Sequence, residues 1–218
     1  MMTHAERMDR FAQTDLYVVI TEAFCNGRPA LEVLGAVLAA GVGIVQLREK
    51  DLTDCALHDL AVAFRERTDS VGVLLIVDDR VDIALAAGAD GVHLGEHDLP
   101  VRAARRIAPD LIIGASAHNL DEALAGERDG ASYVNIGPIF ATQTKTVATG
   151  ALGPEALDII PPRLTIPWTT MGGIKPHNIG EVLERGARHV AVVTAVTAAA
   201  DITGAATELR GLMKNFSG

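Results

Sequence analysis

The stretch Ala86-Ala87-Gly88-Ala89-Asp90-Gly91-Val92-His93-Leu94 holds the end of a helix, a glycine turn and a short apolar strand, and the same phrase recurs along the chain. Ala39-Ala40-Gly41-Val42-Gly43 and Glu184-Arg185-Gly186-Ala187-Arg188 repeat it. Gly41, Gly88, Gly130 and Gly186 each follow an amphipathic segment and precede an apolar run, where a left-handed helix stop is wanted. Working outward from these hinges, apolar runs predict strands at Leu16–Ile20, Ile44–Leu47, 73–77, Gly91–Leu94, 111–115, Tyr133–Ile136, 165–171 and 189–194. Pro161, Pro162 and Pro167 crowd the start of the seventh. Helical patterning fills 29–40, 53–68, 79–87, 101–108, 119–129, 176–185 and 201–214, with Asn119 and Glu122 at the spacing of a capping box.

Alternating strands and helices imply a parallel sheet with crossover helices. Eight such units predict an α/β fold, a (β/α)8 TIM barrel in one catalytic domain over residues 15–218. Residues 1–14 form an extension that either packs as an extra helix or frays. An open doubly wound sheet is the competing topology, but no Gly-x-Gly-x-x-Gly opens a helix after the first strand. In a barrel, chemistry sits where strands end.

Composition narrows the function. With 218 residues, 49% hydrophobic and 4% aromatic, the chain fills one large core mainly with small and β-branched residues. A net charge of −9 disfavours nucleic acid or an anionic membrane as partner, so any phosphate site must be local. Cys25 and Cys55 have no metal spacing and are too few for a disulfide scaffold. No signal peptide or apolar run of spanning length is present, and a soluble cytoplasmic protein is expected. A homo-oligomer is left open.

The strand ends carry the candidate chemistry. Gln46-Leu47-Arg48-Glu49-Lys50 alternates so that Gln46, Arg48 and Lys50 share a face, and two cations there suit a di- or triphosphate, although a solvated turn gives the same pattern. Asp78-Asp79 and Glu96-His97-Asp98 end neighbouring strands, where carboxylates can share a hard cation or simply cap helices. Ser116 offers a hydroxyl without an evident activating partner, and His93, His97 and His118 lack zinc-ligand spacing. Gly172-Gly173 and Val193-Thr194 follow strands seven and eight, where barrels commonly hold a phosphate on backbone N–H groups; the glycines also suit a plain turn. Gly137-Pro138-Ile139-Phe140-Ala141-Thr142-Gln143-Thr144-Lys145 leaves strand six as a polar loop with a lysine.

Taken in order, Gln46 to Lys50, Asp79, Gly91-Val92-His93-Leu94-Gly95, Asp98, Gly114-Ala115-Ser116-Ala117-His118, the Gly137 to Lys145 loop, Gly172-Gly173-Ile174 and Val193-Thr194 resemble the thiamine phosphate synthase family. The resemblance runs from about Leu16 to Val196. It implies a (β/α)8 transferase that joins 4-amino-2-methyl-5-hydroxymethylpyrimidine diphosphate to a thiazole phosphate, giving thiamine phosphate and pyrophosphate, with Mg²⁺ as cofactor and phosphorylated small molecules as partners. Carried over by position, it puts Gln46, Leu47, Arg48, Glu49, Lys50, Asp78, Ser116 and Lys145 on the pyrimidine diphosphate. It puts Thr142, Gln143, Thr144, Gly173, Val193 and Thr194 on the thiazole phosphate, and Mg²⁺ on Asp79 and Asp98. Arg48, Lys50 and Lys145 are then the catalytic cations that stabilise the leaving pyrophosphate.

Two positions depart from the family, which commonly has Asn at Asp78 and Ser at Thr194. Thr194 keeps a hydroxyl, whereas Asp78 adds negative charge beside a diphosphate. Two rival functions follow: a thiazole tautomerase-like isomerase using His118, and a non-catalytic regulator that binds thiamine phosphate.

Overall fold

The computed structural model describes residues 2–142 and 150–216. Eight parallel strands, β1 (Leu16–Ile20), β2 (Ile44–Leu47), β3 (Leu74–Asp78), β4 (Gly91–Leu94), β5 (Ile112–Ala117), β6 (Tyr133–Ile136), β7 (Trp168–Met171) and β8 (Val190–Val192), close in chain order into a barrel. Closure pairs Leu16 with Val190 and Val18 with Val192. The helices are α1 (His4–Phe11), α2 (Ala30–Ala39), α3 (Asp54–Asp69), α4 (Val81–Ala86), α5 (Val101–Ile107), α6 (Leu120–Arg128), α7 (Ala156–Ile159), α8 (Ile179–Leu183), α9 (Thr194–Thr197) and α10 (Ile202–Phe216). Among the described residues, no helix is long and apolar enough to cross a membrane.

The strands are short and almost wholly buried, because both of their faces are covered. Their outward residues, such as Val18, Ile20, Val45 and Leu47, pack with Val33, Leu34 and Val37 of α2 and Leu57, Ala61 and Phe64 of α3. Their inward residues, Tyr17, Val19, Ile44, Leu74, Ile76, Ile112 and Tyr133, fill the barrel itself. The period of two that made the runs legible thus divides the core into two layers.

Residues 4–11 form a helix that closes the barrel's amino-terminal end. Its start is a capping box, with Thr3 accepting from the Glu6 N–H and Glu6 accepting from that of Thr3. Phe11 is fully buried, its ring stacked 5.0 Å from that of Tyr133 and tilted against that of His189 at 4.8 Å. Arg7 reaches Asp90, just before β4, with its Nε 3.6 Å from Oδ1.

Several element ends differ from the sequence expectation, three of them with a clear local cause or consequence. The seventh strand starts at Trp168 instead of 165, because Pro161 and Pro162 open a 3-10 turn and Pro167 has no N–H for a ladder. The helix expected from 79 starts at Val81, since Asp79 lies at φ 60, outside helical space. The eighth strand stops at Val192, and Thr194 already belongs to α9.

Candidate active site

A cavity of about 730 Å³ opens at the carboxyl-terminal end of the barrel. From β2 it receives Gln46, Arg48 and Lys50. The Arg48 N–H donates to the Ile20 carbonyl at 2.9 Å, so strand alternation continues past Leu47 and turns Gln46 and Arg48 inward. The same alternation sends two motif residues away. Leu47 is wholly buried in the outer layer, and Glu49 accepts from the Glu22 N–H at 2.7 Å. Leu47 and Glu49, expected on the diphosphate from their place in the motif, therefore do not line the cavity.

Opposite charges meet at the ends of β2 and β3. Asp78 Oδ2 lies 3.3 Å from Arg48 Nε and 3.2 Å from Lys50 Nζ, and Lys50 also hydrogen-bonds Asp79. Burial, reinforced by the neighbouring Asp79 charge, pushes the Asp78 carboxyl up to about 6 despite the two cations. Burial works against the charge on Asp79 too, but the Lys50 ammonium and a hydrogen bond with Asp98 hold its carboxyl below the usual value. Asp98 shifts upward through burial and that same contact with Asp79, while its Oδ2 accepts from the Gly95 N–H at 2.6 Å. Desolvation opposes the charge on Lys50, yet Asp78 and Asp79 keep its ammonium above the ordinary range. Two close carboxylates at the mouth, one from each of two adjacent strand ends, form a hard oxygen donor set of the kind Mg²⁺ takes alongside phosphate and water.

The part of the cavity beneath this cluster is polar. Ser116 on β5, His93 on β4 and Asn135 on β6 face it together with Gln46. His93 Nε2 lies 3.0 Å from Ser116 Oγ, and Thr169 Oγ1 donates to Asn135 Oδ1 at 2.7 Å.

The far wall is made by the ends of β6, β7 and β8: Gly137, Pro138, Ala141, Thr142, Gly172, Gly173, Val193 and Thr194. Here the two loops pack backbone against backbone, with the Ile139 N–H on the Met171 carbonyl at 2.9 Å and the Phe140 N–H on the Gly172 carbonyl at 3.0 Å. A Cβ on Gly173 would sit 2.6 Å from the Ala141 carbonyl oxygen, and its φ of 64 also favours glycine. The glycine pair is thus required by loop packing, and Gly173 still faces the cavity. Gln143, Thr144 and Lys145 lie outside the described residues.

The structure brings Gln46, Arg48, Lys50, Asp78, Asp79, Asp98, Ser116, Thr142, Gly173, Val193 and Thr194 to one cavity. Sequence reasoning passed over Asn135, Phe24 and Lys175, which also line it, and Tyr17 and Tyr133, which lie under it. Polar residues at inward positions of apolar strands, Tyr133 and Asn135 in β6, were the available signal.

Residues 16–196 match the family described as thiamine monophosphate synthase. The thiamine-phosphate synthase of Chloroflexus aurantiacus is 46% identical over 198 residues, covering 91% of this chain and 92% of that protein. That of Moorella thermoacetica is 45% identical over 207 residues, with 94% and 99% covered. Among solved structures, a thiamine phosphate pyrophosphorylase from Pyrococcus furiosus superposes with a TM-score of 0.87 at 37% identity, covering 94% of this chain and 98% of that one. A 3-hexulose-6-phosphate synthase at 20% identity and a TM-score of 0.67 shares the fold. With the family's sequence pattern spanning the barrel and its polar strand ends gathered around one cavity, this chain belongs to the thiamine phosphate synthase family.

Proposed function

We propose that the cavity condenses 4-amino-2-methyl-5-hydroxymethylpyrimidine diphosphate with thiazole phosphate, forming thiamine phosphate and releasing pyrophosphate. The observation that carries this reading is the convergence on one cavity of a cation pair, Arg48 and Lys50, a carboxylate pair, Asp79 and Asp98, and a separate wall of small residues and hydroxyls.

Arg48 and Lys50 bind the diphosphate, and Lys145, outside the described residues, joins them as the pyrophosphate leaves. Asp79 and Asp98 would hold Mg²⁺, which when bound supplies positive charge to the leaving group. Gln46 and Ser116 orient the pyrimidine ring. Thr142, Gly173, Val193 and Thr194, with Gln143 and Thr144, hold the thiazole phosphate so that its ring nitrogen faces the methylene carbon. The carbon–oxygen bond to diphosphate breaks, the ring's electron-rich amino group supports the methylene cation, and the thiazole nitrogen closes the new carbon–nitrogen bond. The protein's part is positioning and preorganised charge, each of which supplies several kcal/mol in such reactions. Both cations face Asp78, so an incoming diphosphate competes with a built-in carboxylate.

A pyrophosphate-release assay with both substrates, with and without Mg²⁺, tests the reading. Release that needs both substrates and the metal supports it. Tight binding of the diphosphate without release points instead to a regulator. One observation favours an isomerase as second reading: His118 lines the cavity with Nδ1 2.8 Å from Glu122 Oε2, an arrangement suited to moving a proton. Conversion of a thiazole phosphate isomer without pyrimidine diphosphate or metal would establish that activity.

A further inference from the structure

Five side chains form a continuous series of hydrogen-bond distances through the barrel, directly beneath the cavity. Gln46 Nε2 lies 2.9 Å from the Tyr17 hydroxyl, which is 3.1 Å from the Tyr133 hydroxyl. The Tyr133 oxygen is 3.0 Å from His93 Nδ1, and His93 Nε2 is 3.0 Å from Ser116 Oγ. Gln46, His93 and Ser116 line the cavity, whereas both tyrosines are buried below it. Gly114 makes the arrangement possible, since a Cβ there would fall 2.3 Å from Tyr133 Cζ and 2.5 Å from His93 Nδ1.

Each hydroxyl has one proton to give, so once one end of such a series is set, its donors all point the same way. With the Gln46 amide nitrogen as donor, Tyr17 accepts from it and gives its own proton to Tyr133. Tyr133 then donates to His93 Nδ1, which leaves the imidazole proton on Nε2, where it donates to Ser116 Oγ. The Ser116 proton is left for a ligand. Burial holds both phenols well above their ordinary range, so neither loses the proton that sets this order.

We propose that Tyr17, Tyr133 and His93 are positioning residues that lock the Gln46 amide in one orientation. They thereby make the cavity select an aromatic ring with an amino group beside an unprotonated ring nitrogen over the corresponding oxo ring. A free glutamine turns its amide over at little cost and pairs with either ring, because the amino ring offers donor then acceptor and the oxo ring the reverse. Here, turning the amide sets Oε1 against the Tyr17 oxygen, and relief requires reversing every proton down to the His93 tautomer. Locked, Gln46 presents Oε1 and its second N–H, the pairing by which asparagine or glutamine reads adenine. This inference rests on the pyrimidine reading of the cavity and deepens it.

The test compares the 4-aminopyrimidine diphosphate with its 4-oxo counterpart in the full chain and in Tyr17→Phe, which keeps the ring packing. The native chain is expected to prefer the amino ring by at least about 10²-fold in kcat/KM; part of this comes from the amino group's support of the cation, so the lock is read from the change in that ratio. Tyr17→Phe is expected to lower that ratio by about tenfold or more, with KM for thiazole phosphate unchanged. Nitrogen-15 NMR of the unliganded native chain is expected to show His93 as the Nε2–H tautomer. An unchanged amino-to-oxo ratio in a folded Tyr17→Phe overturns the inference, and so does an Nδ1–H tautomer in the native chain, a readout that needs no variant to fold. If the native chain releases no pyrophosphate with either ring, the synthase reading fails. Calorimetry with the two diphosphates then decides this one alone: equal affinities overturn it and an amino preference supports it.

Discussion

The two ends of the barrel use the same chemistry to opposite effect. At the amino-terminal end, Asp90 is 2% exposed and lies between Arg65, 2.5 Å from its Oδ2, and Arg7, while also accepting from the Leu75 N–H at 3.0 Å. At the carboxyl-terminal end, Asp78 also lies between two cations, Arg48 at 3.3 Å and Lys50 at 3.2 Å, but all three groups line a cavity that a ligand can enter. The first cluster joins α1 and α3 to the bottom of the sheet and is nearly closed to solvent. The second holds charges whose best partner comes from outside. An ion pair is therefore structural or functional according to what can reach it, and the two ends should separate cleanly on substitution.

The largest expected effect lies at the closed end. Asp90→Ala removes the buried carboxylate from between two arginines, leaving Arg7 on backbone carbonyls and Arg65 on the exposed Asp69, and should cost about 3–5 kcal/mol in urea-induced unfolding. The turnover of the fraction that remains folded should stay within about twofold, since a full barrel separates Asp90 from the cavity. A fall in turnover at unchanged stability would erase the distinction between the ends.

Arg48→Ala should do the reverse. Loss of one preorganised cation lowers kcat/KM for the pyrimidine diphosphate by on the order of 10²–10³. The melting temperature should barely move, because Lys50 remains beside Asp78. Equal losses of stability and activity would show that the upper cluster is also holding the fold together.

Asp78→Asn sharpens the comparison further, with a smaller effect. Removing the carboxylate that faces both cations should lower KM for the diphosphate about three- to tenfold, toward the low end of the ~1–4 kcal/mol that unit charges a few ångströms apart exchange in a solvated site. A raised KM that falls again with added Mg²⁺ would show instead that Asp78 helps to hold the metal.

What the sequence made legible follows from what is local. Period-two alternation and glycine hinges marked all eight strands and placed Gln46, Arg48, Asp79, Asp98 and Ser116 at strand ends. Neighbours in a motif are not neighbours in space, however, and the alternation that aims Gln46 and Arg48 inward puts Leu47 and Glu49 outside the cavity. Tyr17 and Tyr133 meet across 116 residues of chain only because the barrel closes, a contact that no local pattern encodes. Phe11 was hidden for the same reason, since a short amphipathic helix shows its role only when the open end of a barrel lies above it. The left-handed backbone of Asp79 was equally unreadable, because Asp at that place suits a helix cap as well as it suits a metal.

The smallest expected effect is a pH dependence that belongs to the closed end. Burial lowers the pKa of His189, whose ring packs against Phe11, while Thr14 and Asp15 pull it upward and Arg188 reinforces the lowering. A histidine held low in the folded chain stays neutral where its unfolded counterpart, with a pKa near 6.5, has begun to take a proton. Its contribution is therefore complete above about pH 6.5 and is lost as the pH falls from there through the folded value, because only the unfolded chain gains a proton in that window. The slope for one such group cannot exceed ~1.4 kcal/mol per pH unit. His4, also lowered by burial and next by the nearby Arg105, acts in the same direction. His189→Phe removes one titrating ring but keeps an aromatic neighbour for Phe11, so melting curves between pH 7 and pH 5 should flatten relative to the native chain. An unchanged slope would assign the acid sensitivity elsewhere, with the carboxylates of the open end as the next groups to replace.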